Sequence, residues 1–295
     1  MIPVLQAWGE QEMDVAIIQV PYVMGDERQG SGPLRLVQAG AAEAVSGEGI
    51  AVSVHRVERG EPFRDSGNAA LFVNQRLAST VRQAIGAGRL PLVLAGGCDA
   101  SAGVVAGIGQ DVGVVWFDAH GDFNTPETTV SGYLPGMSLA VITGHCFRNY
   151  WAQMGDPTPV REAATLMLGV RDLDPAEKER LDRSAIQIVK WHAGKPQSDV
   201  RAAIEKLAES VPEVYVHIDM DCLDPEFAPG VVVEPAPGGI SLQAMEDALR
   251  AVFTRFRVRA VTFAAYSADN DRNDTTLRTA LRLIELVARG AKESS

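Results

Sequence analysis

The stretch "VGVVWFDAHGD", residues 112–122, passes from an unbroken apolar run into alternating acids and a histidine. Its first half is β-branched and aromatic, the composition of a strand buried on both faces. Its second half spaces Asp118, His120 and Asp122 two residues apart. In an extended chain, positions i, i+2 and i+4 face one way. These three side chains are therefore expected together at a strand end, which is where parallel sheets bind ligands.

The stretch "EVYVHIDMD", residues 213–221, has the same form and ends in Asp219 and Asp221. Six further apolar runs cover 14–20, 50–57, 90–97, 164–172, 185–191 and 259–267. Between them, residues 74–88, 199–210 and 242–256 repeat apolar positions near i, i+3, i+4 and i+7, which predicts amphipathic helices. Strands alternating with such helices imply right-handed crossovers. The expected fold is α/β, a single three-layer domain with a mainly parallel eight-stranded sheet. Residues 121–163 lack clear periodicity and read as a long functional loop. No linker or internal repeat interrupts the chain, so one domain is expected over 1–295, with the polar tail 288–295 frayed.

The 295 residues are 46% hydrophobic and 22% charged, with a net charge of −11. An acidic balance disfavours nucleic acid and anionic membrane as partners, since both select basic surfaces. A small-molecule substrate is expected instead. Three cysteines, Cys98, Cys146 and Cys222, make no disulfide framework. The opening "MIPVLQAWGEQEMD" lacks the basic and apolar regions of a signal peptide, and no apolar run is long enough to span a bilayer. Cytoplasm is the default location.

Two acidic strand ends side by side would bring four aspartates and a histidine together. So many like charges stay ionised only if a cation neutralises them. Carboxylate and imidazole donors suit Mn²⁺, with Fe²⁺, Co²⁺ and Zn²⁺ as alternatives. Aspartates shared between two ions would make a two-metal hydrolytic site.

The ordered motifs "DAHGD", "NTPETTVSG", "GVRDLDPAE" and "HIDMDCLDP" are together similar to the ureohydrolases: arginases, agmatinases and formiminoglutamases. The resemblance runs from "QVPY" near the N-terminus to "TLRTALRLIEL" near the C-terminus. It implies a metal-dependent C–N hydrolase of linear amidines and guanidines with two Mn²⁺ per chain. It also implies a homo-oligomer, trimer or hexamer. Asp118, His120, Asp122, Asp219 and Asp221 match the family's ligands. The sixth family ligand is a histidine followed by glycines five and nine residues later. Gly103 and Gly107 stand at those distances from Cys98 in "LAGGCDASAG", so Cys98 falls on the ligand position.

In arginases the amino-acid end of the substrate is held by positions that match Asn124, Thr129, Ser131 and Asp174. From the residues alone, Asn124 and Ser131 also suit loop capping, and Asp174 suits the N-cap of a helix led by Pro175. The resemblance further implies catalytic roles for His120 and for Asp122, which would hold the attacking water and pass on its proton. Two positions depart from arginases. Pro135 replaces a proton-shuttling histidine, and Ala265 replaces a glutamate that grips the guanidinium. Glu234 is a replacement carboxylate in reach of sequence reasoning.

Within the family, "GDFNTPETT", "GYL", "GM" and the cysteine most resemble the Nω-hydroxy-L-arginine hydrolases of D-cycloserine biosynthesis. The altered Cys98, Pro135 and Ala265 also leave a second reading. In it, the chain is a degenerate ureohydrolase-fold binder or assembly subunit.

Overall fold

The structure, a computed structural model, describes residues 14–60, 63 and 65–293. The opening segment 1–13, on which most of the signal-peptide expectation rests, lies outside the described residues.

All eight expected strands form, and all lie in one sheet. They are β1 (Asp14–Val20), β2 (Val52–Arg56), β3 (Arg89–Ala95), β4 (Gly113–Phe117), β5 (Thr165–Leu168), β6 (Gln187–Val189), β7 (Glu213–Asp219) and β8 (Arg257–Ala264). Their spatial order is β2-β1-β3-β8-β7-β4-β5-β6, and every pairing is parallel. Helices pack on both faces, giving two apolar cores either side of the sheet. The inner strands are apolar on both faces because both faces are covered.

The predicted helices appear as Ser66–Gly86, Val200–Ala208 and Leu242–Arg255. The first begins eight residues earlier than its apolar period indicated, because Asp65 caps it by accepting from the Asn68 N–H at 2.8 Å. The tail expected to fray is helical to Glu293. Ala288 and Ala291 are buried against the core, and Arg289 pairs with Glu48 at 2.9 Å. Segment 121–163 is no open loop either. It carries a 3₁₀ turn, Leu134–Met137, and the short helices Ser138–Ile142 and Arg148–Ala152.

Two glycines set the position of the corner after β3. A side chain on Gly103 would strike Asn74, and one on Gly107 would strike Val81. Their absence lets helix Ser101–Ile108 lie directly on helix Ser66–Gly86. Asn74 fills the contact by accepting from the Gly103 N–H at 2.7 Å. The preceding turn, Cys98–Ala100, is thereby fixed at the carboxyl end of β3.

Candidate metal centre and its cavity

Three strand ends supply the acidic cluster. Cys98 follows β3, Asp118 follows β4, and Asp219 ends β7. Strand β8 lies between β3 and β7, ends at Ala264 and is followed by Ala265. Their small side chains leave room for Cys98 and Asp219 to meet across it, with Sγ 2.9 Å from Oδ2. The cluster sits at the carboxyl ends of the central strands, as parallel sheets favour.

The alternation seen in the sequence does not persist as extended chain. Strand β4 stops at Phe117, and Asp221 lies in a 3₁₀ turn, Met220–Cys222. The residues converge through local hydrogen bonds instead. Asp118 accepts from the His120 N–H at 2.8 Å, and Asp219 accepts from the Asp221 N–H at 2.9 Å. Asp221 accepts from the Ala119 N–H at 3.1 Å, which ties the two turns together. Asp122 is left-handed, with φ 45°, and its carbonyl accepts from Leu139 and Ala140 at the start of the next helix.

Among the described residues, two groups have donor atoms close enough to share an ion. One is Cys98, Asp118 and Asp219; the other is Asp118, His120 and Asp221. Asp118 belongs to both, the arrangement of a shared ligand between two cations. Asp122 lies in the same cavity but in neither group. Its Oδ2 is buried without a hydrogen-bond partner.

The electrostatics ask for positive charge. Burial, then the fields of Asp118 and Asp219, push the Asp122 carboxyl well above its ordinary range. Burial and Asp221 do the same to Asp219. Burial opposes a charged His120, but Asp118 and Asp221 outweigh it and hold the imidazole well above its usual range. Its Nδ1 lies 3.1 Å from Asp221 and 3.4 Å from Asp118. The half-buried Arg171, whose charge is felt at Asp221, spends its N–H groups on backbone carbonyls of Gly169, Asp221, Cys222, Leu223 and Ala236. A donor set of buried carboxylates, one imidazole and one thiol, with an unpartnered carboxylate oxygen, fits divalent cations. Without one, burial and Asp219 keep Cys98 a thiol that donates to Asp219.

Supporting residues hold these donors. The Trp116 indole N–H donates to Asp118 Oδ2 at 2.9 Å. His217 stacks on Trp116 with ring centroids 3.7 Å apart, and its Nδ1 meets the Tyr215 hydroxyl at 2.8 Å. Burial lowers the His217 pKa to about 3, so it is a neutral core histidine beneath the cluster.

The cluster opens into a cavity of about 300 Å³. Asn124, Thr129, Ser131 and Asp174, all expected at the substrate, line it. Asp174 stands at the start of helix Pro175–Asp182 but does not cap it. It accepts from Asn124 Nδ2 at 3.0 Å instead. Thr129 and Ser131 both line the cavity and brace the loop, accepting from the Gly132 and Tyr133 N–H groups. Glu234 does not join them. It is exposed and opens on a neighbouring cavity with Trp191 and His192, so this placement gives its expected substrate role no support.

Sequence reasoning passed over Glu177. It is 3% exposed, lines the cavity, and accepts from the Phe123 N–H at 2.8 Å. Gly121 makes this approach feasible, since a side chain there would strike the Glu177 carboxyl. Burial raises the Glu177 pKa to about 7. Its only sequence signal is an acid in a first helical turn, which ordinarily reads as dipole compensation.

A family model described as the Arginase family matches residues 13–288. The arginase of Bacillus caldovelox is 31% identical over 291 residues, covering 92% of this chain and 96% of its own length. That of Brevibacillus brevis is 30% identical over 295 residues, covering 93% and 97%. The crystal structure of arginase from Bacillus cereus superposes with TM-score 0.85 at 29% identity, covering 93% of this chain and 98% of its own. With the whole fold and the acidic strand ends accounted for, the chain belongs to the arginase family, metal-dependent hydrolases of guanidino C–N bonds.

Proposed function

We propose that the protein hydrolyses an amino-acid-like hydroxyguanidino compound of the Nω-hydroxy-L-arginine type in preference to arginine. One observation carries this reading. Outside the cluster the cavity carries its carboxylates at Asp172, Asp174 and Glu177, whereas Pro135, Val232, Val233 and Ala265 line it with no charge. Those four residues offer no carboxylate to pair with a guanidinium. A guanidinium loses a charge-assisted, often bidentate hydrogen bond there. A hydroxyguanidine is less basic and loses less.

Cys98, Asp118, His120, Asp122, Asp219 and Asp221 would hold two divalent cations, expected to be Mn²⁺, which would supply a water acidified toward neutrality. Asp122 takes the water's proton and returns it to the departing nitrogen, since its unpartnered oxygen faces no other donor. His120, held by two carboxylates, keeps the Asp118 and Asp221 carboxylates in place. Asn124, Thr129, Ser131 and Asp174 hold the amino-acid end, with Glu177 beside them. The water oxygen joins the guanidino carbon, the bond to the chain nitrogen breaks, and a free amine and a urea-type product leave.

The binder or assembly-subunit reading is not favoured, because the residues that could hold metal still converge and the relatives are arginases. The same proposal carries a cytoplasmic trimer or hexamer, which sedimentation of the purified protein would check. No described helix is long and apolar enough to cross a membrane.

The test is turnover of metal-loaded protein on Nω-hydroxy-L-arginine, L-arginine and agmatine, with hydroxyurea and urea measured. Faster turnover of the hydroxyguanidine supports the reading. Preference for arginine or agmatine contradicts it.

A further inference from the structure

Tyr133 follows the loop that carries Asn124, Thr129 and Ser131, and is half-buried in the cavity wall. Its backbone is fixed from both sides. Its N–H donates to Ser131 Oγ at 3.2 Å, and the 3₁₀ turn Leu134–Met137 starts directly after it. Its hydroxyl makes no hydrogen bond to any described residue. Thr129 and Ser131 also bring hydroxyls to the cavity, but these stand with Asn124 on the loop expected at the amino-acid end.

The 3₁₀ turn that follows Tyr133 packs against the Cys98–Ala100 turn, so Tyr133 and Cys98 line the same cavity, and the phenol lies in the field of Asp99, Cys98, Asp219 and Asp122. Burial and these neighbours hold its pKa far above the ordinary phenol value, so the hydroxyl keeps its proton. It is a donor in the lining of a cavity where Pro135, Val232, Val233 and Ala265 offer no side-chain hydrogen bond. The phenol oxygen can accept an N–H from either head group, but its proton needs a lone pair to bond to. A protonated guanidinium has five N–H groups and none. A neutral hydroxyguanidine has one on its hydroxyl oxygen and another on its imine nitrogen.

We infer that Tyr133 is a specificity residue, its hydroxyl donating a hydrogen bond to a head-group lone pair that a hydroxyguanidine has and a guanidinium lacks. This rests on the proposed hydrolytic function of the cavity and names the side chain that discriminates. It also gives Tyr133 the place of the only polar donor near Pro135 among the described lining residues outside the metal cluster and the amino-acid wall.

The test compares metal-loaded wild type with Tyr133→Phe, which removes the hydroxyl alone. With Nω-hydroxy-L-arginine and L-arginine as substrates, the ratio of their kcat/KM values should fall about tenfold in the variant, the worth of one hydrogen bond. Metal content and melting temperature should not move. Binding of the hydroxyguanidine to wild type should also give a tyrosine ultraviolet difference spectrum that the variant lacks, since Tyr133 is the tyrosine lining this cavity. An unchanged ratio overturns the inference while leaving the hydrolytic function standing. A wild type that neither binds nor turns over either substrate overturns both. Should the variant not fold, a wild type that binds the hydroxyguanidine with no tyrosine signal overturns the inference on its own.

Discussion

The thiol of Cys98 lies 2.9 Å from Oδ2 of Asp219, although 121 residues separate them. The contact spans strand β8, whose end carries only alanines. It makes one half of the centre different from the other. The Asp118–His120–Asp221 group offers oxygen and nitrogen, whereas the Cys98–Asp118–Asp219 group offers oxygen and sulfur.

Thiolate is a softer donor than imidazole and a poorer match for Mn²⁺. Cys98→His is therefore expected to tighten Mn²⁺ in that group by about tenfold or more. Competition with a chelator, followed by metal analysis, measures this. An unchanged affinity would return Cys98 to the role of a small residue filling a corner.

Trp116→Phe keeps an aromatic ring beneath the cluster and removes the N–H that fixes Asp118. Outer hydrogen bonds of this kind are worth about 10–100-fold in metal affinity. Because Asp118 belongs to both groups, both metals should weaken together. Loss of only one, or of neither, would show that Asp118 does not depend on this bond.

Gly103→Ala puts a methyl group 2.7 Å from two oxygens of Asn74, one of them backbone. The two helices must then separate. Overpacking of this kind costs about 1–3 kcal/mol. Denaturant unfolding should show that loss, and wild-type stability in the variant would contradict the packing account of the glycine spacing.

Glu177 has its folded pKa raised from 4.5 to about 7 by burial. Between those values the folded protein holds a proton that the unfolded chain has released. Its contribution to stability is full below about 4.5 and is lost as pH rises toward about 7. Glu177→Gln removes that loss. Metal-free variant and wild type should differ more in melting temperature at about pH 8 than at about pH 4, with the variant gaining as pH rises. A difference independent of pH would place Glu177 in its ordinary titration range.

The strands were legible because each inner run is apolar on both faces. Their ends were not. Expected strands continued into polar residues that the structure turns away, at Gly169 with φ 106° and at Ala265 with φ 60°. The convergence of Asp118, His120, Asp219 and Asp221 was legible from residue types and spacing, although turns rather than extended chain assemble it, and Cys98 was legible only through the family resemblance. The short helices 138–142 and 148–152 were hidden because five residues make under two turns. The tail looked polar, yet Val287, Ala288 and Ala291 share one buried face. Glu177 was hidden because its surroundings come from Gly121 and Phe123, which are distant in sequence.

The central claim is a two-metal centre built around a shared Asp118. Elemental analysis of wild type, Asp118→Asn and Asp221→Asn after Mn²⁺ loading and desalting tests it most directly. The account predicts about two equivalents per chain in wild type, about one in Asp221→Asn and close to none in Asp118→Asn, with all three proteins folded. A wild type that holds no metal, or an Asp118→Asn variant that retains both, would contradict it.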